Sequence, residues 1–298
     1  MRTWSNLFLD ITNTSKFGIP PNMGPKAKKV QLYIIFFIAY CNWGVCTYAL
    51  ASIFLESVTC EKINKEKGLH EICGMVTPFW WPYDTIDFYL KMFFNAYEIL
   101  CIGIYIPPGV SLIVSVWECA ETIISKIEHL KEMFKETFEI EELHLQQAHL
   151  RRCIQYHQEI IKIIQNWNTE NKKCFGQCSS ISAITISLIT AQFLRIHSIG
   201  ALIHVFGYTV GVFMLCKAGQ MIQDESYNIQ DAFLDSKWYT ASPKLLKDIK
   251  FVILRCQKPL YLQAVPFGTF NFNSLIMIIK TAYSYLTLIN NESKYTKI

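Results

Sequence analysis

Residues 30–55 read VQLYIIFFIAYCNWGVCTYALASIFL and contain no Asp, Glu, Lys or Arg. A helix that crosses the hydrocarbon of a bilayer needs about 20 mainly apolar residues in succession, and this run exceeds that length. Four more runs share the property. Residues 92–117 carry only Glu98, residues 174–194 and 196–216 are free of Asp, Glu, Lys and Arg and are separated by Arg195, and residues 259–291 are broken only at Lys280. The reading is an all-α membrane protein with five transmembrane helices. The alternative, five buried core helices of a water-soluble protein, requires unusually long stretches without charge.

The composition agrees with that reading. Of 298 residues, 51% are hydrophobic and 17% charged, against about 25% charged in an ordinary soluble domain. Basic residues remain on the cytoplasmic side of membranes. With the N-terminus inside, the cytoplasmic connections hold nineteen Lys and Arg and the opposite side six, which places the N-terminus in the cytoplasm and the C-terminus outside. The net charge of +4 therefore reads as a topology signal, and no basic face of a soluble domain invites nucleic acid. The first residues are polar and basic with no apolar core behind them, unlike a secretory leader.

The segments between spans carry their own apolar patterns. Residues 118–138 repeat Ile123, Ile124, Ile127, Leu130 and Phe134 at helical spacing, and residues 150–167 repeat Ile154, His157, Ile160, Ile161 and Ile164. Such faces pack on each other, on the membrane or on another subunit. Residues 219–259 are rich in polar side chains yet hold enough Ile, Leu, Phe and Trp for packed helices, with Pro243 as a helix-start signal. Pro107 and Pro108 should kink or break the second span.

The chemistry-bearing residues are few. His144, His149 and His157 are spaced by five and eight, whereas metal-binding helices use three or four, so packing or solvated roles are expected and no metal. No catalytic signature is present, which points away from an enzyme, and nothing calls for a cofactor. Cys60 and Cys73 both fall in the outer loop 56–87, where oxidising conditions would allow a disulfide or leave two free thiols. Glu98 and His204 lie within spans, where an ionisable group either serves a pocket or stays hydrated near the interface. The aromatic run TPFWWPYD, residues 77–84, suits an interfacial belt or a lid over a pocket mouth.

Three stretches carry a resemblance in order: GQMIQDESYNIQDAFLDSKWY at 219–239, FVILRCQKPLYLQA at 251–264 and SLIMIIKTAYSYLTLI at 274–289. Together they resemble the C-terminal signature of insect odorant receptors, and CIQYHQEIIKII at 153–164 and TPFWWPYD are similar to that family as well. The resemblance implies a seven-helix receptor with an inside N-terminus. It implies an odorant-gated cation channel built as a heterotetramer with the olfactory co-receptor, in the plasma membrane, taking small volatile organic ligands. The five spans would correspond to the third through seventh of the family, residues 1–29 standing in for a first cytoplasmic loop, as in an N-terminally truncated chain.

The segments expected on this basis are 1–29 cytoplasmic, 30–218 ligand-binding helices with cytoplasmic extensions at 119–173, 219–258 anchor helices, 259–291 the pore-lining helix and 292–298 an outer tail. The resemblance assigns ligand contacts to Trp43, Thr47, Leu50, Phe94, Tyr97, Glu98, His204 and Tyr208, and the subunit anchor to Trp238, Tyr239, Lys258 and Pro259. On the last span, Thr281, Ser284, Tyr285, Leu288 and Asn291 share one helical face. That face either packs on neighbouring helices or lines a pore, and the resemblance aligns Leu288 with the family's hydrophobic gate and Asn291 with the polar residue beyond it. Insect gustatory receptors, a related fold, carry a Thr-Tyr and Gln-Phe pattern in the last span that is absent here. A multi-span carrier or enzyme would call for several convergent intramembrane charges.

Overall fold

The computed structural model describes residues 7, 9–13, 16–21, 23–68, 72–76, 82–83, 86–196 and 199–295. Helix α1 (Met23–Leu50) passes through a π-helical turn (Ala51–Leu55) into α2 (Glu56–Lys67). Then follow α3 (Phe88–Thr137), α4 (Leu143–Ile196) and α5 (Ile199–Leu234), a 3-10 turn at Trp238–Thr240, and α6 (Pro243–Cys256). Strands β1 (Gln263–Ala264) and β2 (Gly268–Thr269) pair antiparallel before α7 (Phe272–Tyr295). Five helical segments among the described residues are long and apolar enough to cross a membrane: 23–66, 88–137, 143–194, 199–234 and 272–291. At 1.5 Å per residue, α4 extends to about 80 Å, far beyond a hydrocarbon layer of about 30 Å, so it must continue outside the membrane.

The chain forms two compact units. The first gathers residues 1–31, 115–179 and 213–276. Its core is built from Ile127, Leu130 and Phe134 of α3, Cys153, Tyr156, Ile160, Ile164 and Trp167 of α4, Ile222 and Phe233 of α5, and Leu245 and Ile249 of α6, all buried. Phe233 meets Phe134 and Phe138 edge-on, with ring centroids 5.0 and 5.5 Å away. The stripe expected on α3 is buried throughout. On α4 the stripe is rotated: Ile154 and Ile161 are half-buried while Tyr156 and Ile163 go inside, with Tyr156 held between Phe17, stacked at 4.5 Å, and His129 of α3, edge-on at 5.6 Å. Lys126 is buried beneath the N-terminal segment, donating to the carbonyls of Asn13 (2.8 Å) and Asp10 (3.4 Å). Burial holds its pKa below the ordinary lysine value.

The second unit gathers residues 32–114, 180–212 and 277–298. Here large apolar side chains face outward, among them Phe36, Phe93, Leu100, Ile104 and Phe206, as spans in contact with lipid require. Cys60 and Cys73 are joined as a disulfide, Cα atoms 5.6 Å apart.

Two sequence expectations are corrected. Pro107 and Pro108 do not break α3, which is continuous through both. Flanking turns keep their own hydrogen bonds where no water competes for them, and Ser111 Oγ adds a bond to the Pro108 carbonyl at 2.9 Å. The final helix starts at Phe272 and not at Pro259. Residues 260–270 instead form the hairpin, with a cis Val265–Pro266 bond and with Leu260, Leu262, Ala264 and Phe270 buried in the first unit. Pro243 behaves as expected, occupying the first turn of α6 behind the N-cap Ser242.

Candidate functional site

An aromatic cluster occupies α1 and α5 within the second unit. His204 lies edge-on between Tyr48 and Tyr208, with ring centroids 5.7 and 6.2 Å away. Tyr40 lies 6.4 Å from Trp43 and 6.0 Å from Phe206, and its hydroxyl donates to the Ile203 carbonyl at 2.8 Å. The two helices approach closely because Gly207 presents no side chain: a Cβ there would stand 2.9 Å from Tyr40 Cε1. Small residues that admit a neighbour in this way mark packed membrane helices. Of the residues expected at the ligand site, Trp43 meets Tyr40, while His204 and Tyr208 meet each other beside Tyr48; Tyr40 and Tyr48 are not among the expected residues. The signal that could have found them is Gly207-x-x-x-Gly211 in an apolar run.

The remaining ligand candidates are placed less centrally. Thr47 is half-buried and bonds back to the Gly44 carbonyl at 2.9 Å, and Leu50 is exposed. On α3, Phe94 packs edge-on against Phe93 at 5.9 Å, Tyr97 is exposed and Glu98 is half-exposed. Asn95, on the same turn, accepts from Val76 N–H at 3.2 Å and donates to the Gly74 carbonyl at 3.0 Å, pinning the chain after Cys73 onto this helix. Most of the aromatic run 77–84 falls outside the described residues, as does His197. A cavity of about 180 Å³ exists in the first unit, lined by Ile11, Met23, Val30, Glu118 and Thr122 among others, and none of the ligand candidates contributes to it.

On α7 the faces differ. Ser274, Ile278 and Ala282, four residues apart, are buried, whereas Thr281, Ser284, Tyr285, Leu288 and Asn291 are all exposed in the isolated chain. The Thr281 and Ser284 hydroxyls need no external partner, since Thr281 donates to the Met277 carbonyl (2.8 Å) and Ser284 to that of Lys280 (3.0 Å). Such back-bonded hydroxyls present a weakly polar wall. Leu288 then stands between this wall and Asn291.

The anchor candidates lie beside α6. Trp238 and Tyr239 form the 3-10 turn with Tyr239 exposed, and Lys258 supplies a carbonyl to Arg255 Nη1 at 3.0 Å next to half-buried Pro259. The three histidines do not converge. His144 is exposed beside Glu142 (2.9 Å), and His149 Nδ1 lies 2.8 Å from Thr137 Oγ1. His157 is buried on α4, its pKa lowered to about 4 by burial and then by the Arg255 charge. Among the described residues no group of three or more His, Cys, Asp or Glu is disposed to hold a metal ion.

A family described as "7tm Odorant receptor" matches residues 21–283. Odorant receptor 47b of Drosophila melanogaster is 28% identical over 149 residues, covering 47% of this chain and 36% of that protein. Odorant receptor 65a of the same species is 23% identical over 243 residues, covering 72% of this chain and 57% of that protein. The chain thus spans less than two thirds of the length of either relative. The fold resembles the solved insect olfactory receptor OR5 from Machilis hrabei in complex with eugenol, with a TM-score of 0.76 at 17% identity, over 97% of this chain and 74% of that one. The protein is a multi-pass, mainly helical membrane protein.

Proposed function

We propose that this chain, which belongs to the 7tm odorant receptor family, is an odorant receptor subunit that binds small volatile ligands and gates a cation channel in a heterotetramer with the olfactory co-receptor. The observation that carries the channel reading is the exposed face of α7, on which Thr281, Ser284, Tyr285, Leu288 and Asn291 are left uncovered by their own chain. Copies of this helix around an axis give a polar mouth at Asn291 next to a ring of Leu288, and apolar constrictions gate by dewetting. Lys280 then reaches water or a polar partner instead of lipid, where a lysine costs about 2.5–3.5 kcal/mol at the bilayer centre. The nineteen-to-six basic asymmetry supports a cytoplasmic N-terminus and an outer C-terminus.

The ligand reading rests on the aromatic cluster at Tyr40, Trp43, Tyr48, His204 and Tyr208, with the α3 residues Phe94, Tyr97 and Glu98 as further contacts. Rings with few polar groups suit a small volatile molecule, and the related OR5 was solved with eugenol. Burying roughly 250 Å² of apolar ligand surface at about 25 cal/mol per Å² gives about 6 kcal/mol, hence affinity in the tens of micromolar. Opening follows only from tighter binding to the open state.

The test is odorant-evoked current in cells expressing this chain with the co-receptor. Leu288→Ala should alter rectification, permeability or resting current, and a Leu288→Ala channel identical to wild type in all three contradicts the pore assignment.

A further inference from the structure

The final helix starts without slack from a hairpin that two other helices hold in register, and one stripe of α4 takes the first strand over three successive turns. The Asn168 amide accepts from Gln263 N–H at 2.8 Å and donates to the Tyr261 carbonyl at 2.9 Å. One turn later the Lys172 carbonyl accepts from Val265 N–H at 2.9 Å. A further turn on, at Gly176, the strand lies so close that a Cβ would stand 1.8 Å from the Val265 carbonyl oxygen. These positions follow the i, i+4, i+8 row of a single helix face. Asn168 occupies the place of a neighbouring strand, offering one acceptor to Gln263 N–H and one donor to the Tyr261 carbonyl.

The other side of the hairpin is held by α5. A Cβ at Gly219 would stand 1.9 Å from the Phe270 carbonyl oxygen, and Ser226 Oγ accepts from Leu260 N–H at 2.8 Å. Gln220 accepts from Phe272 N–H at 3.4 Å, so α5 serves the first backbone donor of α7 directly. Asn271 is the N-cap, its Oδ1 accepting from Ser274 N–H at 3.1 Å and its amide donating to Thr269 Oγ1 at 3.0 Å. Only Phe270 and Asn271 separate β2 from α7.

We propose that Asn168 is a positioning residue for channel opening: through the hairpin it sets the register at which α7 begins, while touching neither ligand nor gate. The inference rests on the channel reading above. A displaced strand moves the N-cap by the same step, and a hydrogen-bonded helix carries that step along its length. Ser226 performs the same task from α5.

The experiment measures odorant-evoked current and surface-labelled receptor in the same cells, with the co-receptor present. Wild type must first give a current, and a silent wild type contradicts the channel reading and not the positioning role. Given that current, Asn168→Ala is expected to lower the maximum per surface subunit about thirtyfold, the weight of two ordinary hydrogen bonds, with little change in half-maximal odorant concentration. Asn168→Asp keeps the acceptor for Gln263 N–H and falls between Asn168→Ala and wild type, as does Ser226→Ala, which removes the single bond to Leu260 N–H. An unchanged maximum per surface subunit overturns the proposal. So does a shifted half-maximal concentration with an intact maximum, which would make Asn168 a ligand-site residue. Absence of all three variants from the surface also overturns it, by making the clamp a folding element only.

Discussion

Helix α3 passes through both compact units, and its side chains behave oppositely in them. Ile127, Leu130 and Phe134 are sealed off completely, whereas Phe93, Leu100 and Ile104, no less apolar, are each more than half exposed apart from their own chain's contacts. The first stretch is amphipathic and is held by burial of one face; the second is apolar around most of its circumference and is left uncovered by its own chain on most of it. In the first unit, stability is therefore concentrated in packed side chains. In the second, it depends on a few close helix approaches, with Gly207 against Tyr40 the clearest.

That contrast breaks most visibly under truncation. Phe134→Ala should cost about 3–5 kcal/mol, as for a buried aromatic, and appear as a large fall in the thermal midpoint of the detergent-solubilised protein. Leu100→Ala should move the same midpoint by less than about 0.5 kcal/mol equivalent. Equal losses at the two positions would mean that the outward face of α3 is packed on protein.

The second effect is confined to the first unit. His157 titrates near 6.5 when unfolded but at about 4 in the folded chain, so between those values the unfolded chain holds the proton and the folded chain does not. Stability is full above pH 6.5 and declines as pH falls towards 4, by at most about 3 kcal/mol. Unfolding midpoints across this range should flatten in His157→Gln, and an unchanged slope would assign the acid sensitivity to other groups.

Smaller effects sharpen the picture of the second unit. Gly207→Ala forces a Cβ to within 2.9 Å of the Tyr40 ring and should cost about 1–3 kcal/mol, as overpacking does. Tyr40→Phe removes one hydrogen bond to Ile203 and should cost about 1 kcal/mol. A Gly207→Ala protein with an unaltered midpoint would show that α1 and α5 can separate without loss.

The division between legible and hidden features follows the same contrast. The runs at 30–55, 92–117, 174–194 and 196–216 announce spans because lipid demands contiguous apolar residues, and the family signature at 219–239 and 274–289 sits on helices of the structure. The start of the last helix was hidden because a buried hairpin and a membrane span are equally apolar, and only Pro259 and Pro266-Phe-Gly268 distinguish them. Tyr156 was hidden for a different reason. Phe17 and His129, both distant in sequence, pack on its ring, and helical spacing carries no information about such partners. Trp43, His204 and Tyr208 each meet another ring on α1 or α5, and the pairings of Tyr40 with Gly207 and of Tyr48 with His204 depend on how two helices meet, which spacing along one helix does not carry.

Water reaching the outer half of α7 in the open channel is the central claim, and cysteine accessibility tests it most directly. Leu288→Cys and Ala282→Cys would be expressed with the co-receptor and exposed from outside to a charged thiol reagent, with and without odorant. The account predicts that odorant accelerates modification at 288 and that 282, on the buried face, reacts slowly in both conditions. Modification at 282 but never at 288 in channels that conduct would contradict it.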